Sequence, residues 1–136
     1  MGSRWYAVVV DAADPARLSR WWAEVLGYRL LDEGADEVMV GSGEPDSPVL
    51  YFVRTSETKS TRNRLYLDLS PDDRDAEVER LLDMGARHVD IGQGEPSWVV
   101  LADPEGNEFS VRRLRLAMPA KQSSDVGGRG ITESPL

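Results

Sequence analysis

The sequence contains no cysteine and one histidine. No apolar run approaches the ~18–20 residues of a membrane span. Without cysteine there are no disulfides, no thiolate metal centres and no sulfur nucleophile. With His88 alone, any mechanism that needs two imidazoles from one chain is excluded. Cations are also scarce: 16 Lys and Arg stand against 24 Asp and Glu, for a net charge of −8. That balance argues against nucleic acid as a main partner, because a phosphate backbone demands a basic face. No basic-then-apolar leader opens the chain, so no membrane partner and a cytoplasmic location are the expectations. What remains is ordinary for a globular domain: 136 residues, 40% hydrophobic and 29% charged, enough for one domain with a real core.

Hydrophobic patterning divides the chain into short elements. Trp5 to Val10 is rich in β-formers and reads as a buried strand. Asp14-Pro15 supplies a helix N-cap with proline at the first helical position. Leu18, Trp21, Trp22, Val25 and Leu26 form one helical stripe, which places both tryptophans in the core, and Gly27 ends the helix. Tyr28 to Asp32 and Asp36 to Val40 flank a hairpin turn at Glu33-Gly34-Ala35, and Pro48 to Arg54 is a further strand. Thr55 to Arg62 reads as an exposed polar connection. Arg64 to Leu69 then alternates strictly. Ser70-Pro71 repeats the cap logic, Val78, Leu81 and Leu82 carry the stripe of a second helix, and Gly85 ends it. A short strand from Arg87 to Ile91 follows, then a turn at Gly92 to Pro96. Trp98 to Ala102 and Phe109 to Arg112 flank the turn Asp103-Pro104-Glu105-Gly106-Asn107.

The order strand–helix–strand–strand–strand therefore occurs twice, with Pro15 and Gly27 answered by Pro71 and Gly85. An α+β fold with a mixed sheet is expected. The domain spans residues 1–114, with modules at about 4–55 and 63–114, and residues 115–136 read as a flexible tail because periodicity stops.

Several of these segments, in this order, resemble the vicinal-oxygen-chelate superfamily of glyoxalases, bleomycin-resistance proteins and extradiol dioxygenases, and its glyoxalase-like branch in particular. They are Asp14-Pro15 with Trp21-Trp22 and Leu26-Gly27-Tyr28, then Asn63 to Leu69, the Met-Gly-Ala end of the second helix, and Asp103 to Asn107. The resemblance implies two βαβββ modules forming a cup-shaped mixed sheet with helices on the outside, usually completed by a homodimer. In metal-dependent members four strand positions carry His, Gln or Glu. Those positions correspond here to Ala7, Arg64, Ser110 and either Tyr51 or Phe52. None suits a divalent ion. The resemblance thus implies a chain without metal or other cofactor.

If Ala7, Arg64 and Ser110 face the cup, alternation adds Trp5, Val9, Tyr66, Asp68, Glu108 and Arg112. The opposite parity (Val8, Val10, Leu65, Leu67, Leu69, Phe109, Val111) is apolar and belongs under the helices. The candidate ligand-binding set is Trp5, Tyr51, Arg64, Tyr66, Asp68, Trp98, Glu108 and Ser110. It suits a small molecule with an aromatic or charged part, sequestered as a metabolite or antibiotic would be. A lyase, isomerase or dioxygenase is the alternative, with a divergent metal site built from Asp68, Glu108 and Tyr66 or His88. A third reading is an accessory module valued for its contacts. His88 itself is expected at the surface.

Overall fold

The computed structural model describes residues 2–89 and 98–112. The expected turn at Gly92 to Pro96 and the tail 115–136 lie outside the described residues. Among those residues the elements are β1 (Ala7–Ala12), α1 (Pro15–Leu26), β2 (Arg29–Glu33), β3 (Glu37–Gly41), β4 (Val49–Arg54), β5 (Asp68–Leu69), α2 (Arg74–Asp83), β6 (Arg87–His88), β7 (Trp98–Ala102) and β8 (Glu108–Arg112). They form two four-stranded mixed sheets of matching order, β1-β4-β3-β2 and β5-β8-β7-β6. In each, the strand before the helix pairs parallel to the last strand of its module, and the other pairings are antiparallel. The two βαβββ modules are thus present as the repeat implies.

Helix α1 follows its sequence signals closely. Asp14 accepts the Arg17 N–H, proline occupies the first turn, and Gly27 closes the helix at φ 68. Its stripe is buried, with Trp21 9% and Trp22 4% exposed. The two rings pack edge-on to each other at 5.1 Å and to Phe109 at 6.0 and 4.9 Å. Each such pair adds roughly 0.5–1.5 kcal/mol beyond burial. Because Phe109 lies on β8, one core joins both modules: Leu50 and Phe52 of the first sheet share it with Leu81, Leu101 and Val111 of the second unit.

Three boundaries differ most from the sequence reading. β1 begins at Ala7, since β4 supplies no strand partner before Val49, and Trp5 and Tyr6 remain outside it and exposed. The strand expected over Arg64 to Leu69 shortens to Asp68–Leu69. Its parallel register sets Asp68 opposite Ser110, whose N–H donates to the Leu67 carbonyl at 2.9 Å, and residues before Leu67 have no strand partner among the described residues. Leu65, placed by alternation under the helices, is 91% exposed for that reason. Helix α2 begins at Arg74 rather than after Ser70. Asp73 is its N-cap, accepting the Ala76 N–H at 3.1 Å, and an aspartate cap three residues downstream displaces the serine. Of the strand expected over Arg87 to Ile91, Arg87–His88 is strand and Val89 adds one bond to the Val100 carbonyl, while residues 90 and 91 lie outside the described residues.

The Asp103 to Asn107 turn ties the modules together. Asp103 is fully buried. Its carboxylate accepts the backbone N–H groups of Glu105 and Asn107, both at 2.9 Å, and the Asn107 side-chain amide. It also accepts the Trp22 indole N–H at 2.8 Å. Gly106 provides the φ of 89 that closes the turn. Glu105 reaches back to the start of α1, accepting the N–H groups of Ala13 and Asp14 at 2.7 and 2.9 Å. The other end of α1 is held by two bonds: Trp21 Nε1 donates to the Met84 carbonyl, and Arg80 donates to the Val25 carbonyl.

Losing one donor to a buried carboxylate costs about 1.5–3 kcal/mol, and stranding several donors costs more. Trp22→Phe is therefore expected to lower stability by about 2 kcal/mol. Asp103→Ala, which orphans the indole, the amide and two backbone groups, is expected to cost about 3–5 kcal/mol. Urea unfolding followed by far-UV circular dichroism measures both. Equal losses in the two variants would show that the indole bond, not the turn, carries the effect.

Candidate functional site

The core lies on one face of each sheet; the opposite face of the first sheet is partly exposed, whereas that of the second is largely covered, with Ser110 3%, Val100 1% and Ala102 2% exposed. On the first sheet the open face includes the row Val9–Tyr51–Met39, set side by side by the register of β1, β4 and β3. Val9 is 60% exposed, Tyr51 and Met39 are half-buried, and Tyr6 donates its hydroxyl to the Met39 sulfur at 3.8 Å. This row is apolar and aromatic, and the next row on the same face, Asp11–Val53–Glu37, carries two acids. On the second sheet, Phe109 and Val111 point to the core, and alternation sends Glu108, Ser110 and Arg112 to the other side.

That second face is polar and internally paired. Ser110 donates its hydroxyl to Asp68 Oδ1 at 2.9 Å. Arg112 donates to Asp68 Oδ2 and forms an ion pair with it. Glu108 accepts the Asn63 backbone N–H at 2.9 Å and pairs with the Lys59 ammonium at 3.2 Å. Both partners are well covered, with side chains 22% and 11% exposed for Lys59 and Glu108. Burial pushes the Glu108 carboxyl up, but the Asn63 N–H and the Lys59 ammonium outweigh it and hold the group below its ordinary value.

The structure brings some predicted residues together and separates others. Asp68 and Ser110 are in contact, and Arg112 joins them. Trp98 is opposite Arg112 in the β7–β8 register. Glu108 sits one alternation along β8 from Ser110. Tyr51 belongs to the other sheet. Trp5, Arg64 and Tyr66 lie outside the strands, exposed. His88 is exposed, as expected. The sequence reading missed Lys59 and Asn63. It took Thr55 to Arg62 as exposed connection, whereas the Glu108 carboxylate draws Lys59 inward. Nothing local marks a backbone N–H such as that of Asn63 as a partner for a residue so far along the chain.

A family model for the glyoxalase-like domain matches residues 7–112. The chain belongs to that family. The glyoxalase-like fold is shared with a glyoxalase/bleomycin resistance protein/dioxygenase family enzyme from Burkholderia phytofirmans PsJN. That match has TM-score 0.62 and 19% identity, over 77% of this chain and 94% of the other. It is shared with TnmS3, an antibiotic-binding protein from Streptomyces sp. CB03234, at TM-score 0.58 and 24% identity over 83% and 97%. It is also shared with the fosfomycin resistance protein FosX from Mesorhizobium loti, at TM-score 0.59 and 18% identity over 85% and 93%. The sequence matches no curated protein.

Metal-dependent relatives of a glyoxalase-like protein need several nitrogen or oxygen donors converging. The positions that the resemblance would assign to those donors hold Ala7, Arg64, Ser110 and Tyr51 or Phe52. Phe52 is fully buried in the core, and the Ser110 hydroxyl is spent on Asp68. Among the described residues no three His, Cys, Asp or Glu side chains gather, so Asp68, Glu108 and His88 form no such group. These donors do not fit a divalent ion.

The Glu108 pair gives a pH signature. A carboxyl held below its unfolded value contributes stability that is complete above the unfolded value, near pH 4–5, and is lost as pH falls through the lower folded value. Glu108→Gln is expected to lower stability by about 1–2 kcal/mol at pH 7. The gap between variant and wild type is expected to close below pH 4. Urea midpoints measured from pH 3 to 7 check this, and a gap of constant size across that range contradicts it.

Proposed function

We propose that the protein binds a small organic molecule on the exposed face of its first sheet without a metal ion, and holds it rather than transforming it. The observation that carries this reading is the internal pairing of the polar face. Asp68 is neutralised by Arg112, Glu108 by Lys59, and the Ser110 hydroxyl is committed to Asp68. A general base or nucleophile must be available to a substrate proton or carbon, and these groups are occupied. What the exposed face of the first sheet offers is recognition: the apolar row Val9–Tyr51–Met39 for a ring or alkyl part, with the exposed Trp5 and Tyr66 outside the strands for further contact. The fold shared with an antibiotic-binding protein and a resistance protein supports sequestration as the purpose. Trp5, Tyr6, Leu65 and Tyr66 are all at least 40% exposed. We assign them to ligand contact or to the cover that a second copy provides, in a cytoplasmic homodimer.

A ligand that binds only the native state stabilises it by about 2.7 kcal/mol at a hundredfold excess over its Kd, enough to move a domain of this size by several degrees. Thermal unfolding is therefore expected to shift upward with members of a panel of aromatic antibiotics and metabolites, and Tyr51→Ala to abolish the shift. The same protein, purified without chelator, is expected to carry no stoichiometric metal by elemental analysis. A flat response across a broad panel sinks the binding reading. Zn, Ni, Fe or Mn at one equivalent per chain sinks its metal-free form and favours a lyase or dioxygenase.

A further inference from the structure

A groove of about 500 Å³ opens between the segment Lys59 to Arg62, Arg87 on β6, and the turn at Pro104 to Gly106. Of the residues singled out in the sequence as ligand-binding, Glu108 alone lines it. We infer that this groove is a binding site for a small oxyanion, a carboxylate or phosphate group, separate from the exposed face of the first sheet.

The groove holds donors that no described acceptor meets. Of the cations that border it, Lys59 is paired with Glu108, which leaves Arg87 to meet a ligand, in a chain whose net charge is −8. Two acids border it, and each accepts hydrogen bonds from elsewhere in the chain on both of its oxygens. Glu105 gives one oxygen each to the N–H groups of Ala13 and Asp14. Glu108 is held by Asn63 and Lys59. Arg87 is exposed on a two-residue edge strand, and no hydrogen bond or ion pair joins its side chain to another described residue. The hydroxyls of Ser60 and Thr61, which also line the groove, make no hydrogen bond to another described residue. The Thr61 carbonyl, the nearby acceptor, is taken by the Lys59 ammonium.

The groove therefore presents donors, the Arg87 guanidinium and the Ser60 and Thr61 hydroxyls, that no described acceptor meets. A metal cation has no free carboxylate to meet there, and an apolar ligand leaves the donors unsatisfied. An oxyanion satisfies them, and a planar guanidinium beside hydroxyls is the arrangement that grips two of its oxygens together. Because the groove is open, affinity is expected to fall as ionic strength rises, the Debye length being about 8 Å at 0.15 M.

The test is a titration of ¹⁵N-labelled full-length protein with inorganic phosphate, and separately with succinate, each against sodium chloride at matched ionic strength. Saturable amide shifts concentrated at residues 59–62, 87, 105 and 106 are expected, absent with chloride. The arm that saturates at lower concentration identifies phosphate or carboxylate as the preferred group. Arg87→Gln is expected to raise the apparent Kd about tenfold, the size of one lost charge-assisted bond, with the thermal midpoint unchanged. Arg87→Lys is expected to recover part of the affinity. Shifts that are scattered, or equal in chloride, overturn the inference, as does an unchanged Kd in Arg87→Gln. Should that variant unfold, Ser60→Ala takes its place: a raised Kd supports the site, and an unchanged Kd for both anions overturns it.

Discussion

The buried carboxylate of Asp103 is the interaction on which the rest depends. A fully buried aspartate is tolerable only when its lone pairs are met, and here the donors come from two places. Its own turn supplies the N–H groups of Glu105 and Asn107 and the Asn107 amide. The other module supplies the Trp22 indole. The first set shapes the turn, and the second positions the turn against α1. Glu105, two residues on, can then reach the N–H groups that open that helix. One charge thus fixes a local conformation and a tertiary contact together. The aromatic cluster of Trp21, Trp22 and Phe109 makes the same junction from the apolar side.

With the turn fixed, β8 begins at a defined residue with a defined parity. Phe109 and Val111 enter the core, and Glu108, Ser110 and Arg112 take the other face. That parity decides the chemistry available. A carboxylate on that face can serve as a base or ligand only while it is unpaired. Lys59 and Arg112 pair with the two that matter. The Glu108 pair is the stronger constraint, because both side chains are well covered, while the Asp68 pair is partly solvated and screened.

Much of this was legible in the sequence, and the reasons are local. Asp14-Pro15, the Leu18 to Leu26 stripe and Gly27 carry every signal a helix needs, so α1 was readable to its ends. The Asp103 to Asn107 turn likewise announces itself through proline, glycine and asparagine. Where sequence and structure part, the deciding partner is distant. Arg64 to Leu69 alternates as a strand should, yet a strand exists only where a neighbour offers hydrogen bonds, and β8 pairs with Asp68 and Leu69 alone. Ser70-Pro71 and Asp73 are both sound caps by type, and only the path of the chain selects between them. The inward fold of Lys59 follows from a glutamate far along the sequence, which no window around Lys59 contains.

The same pairing links the second sheet to the groove. Lys59 holds Glu108 from above β8, and in doing so it brings the segment 59–62 against the turn and forms one wall of the groove. The pair that withdraws Glu108 from the sheet face thus also removes an acid from the groove's balance, leaving Arg87 and the hydroxyls of Ser60 and Thr61 as its unmatched groups. Neutralising a carboxylate on one side therefore creates a preference for one on the other. The two surfaces proposed to bind need not take parts of the same ligand: the exposed face of the first sheet is built from strand side chains, and the groove is built largely from loops. The sheet face derives its rigidity from the ladder and the groove derives its shape from Lys59. Loss of the Lys59–Glu108 pair should accordingly disturb the groove before the sheet face, because the strands keep their backbone bonds when the segment lifts away.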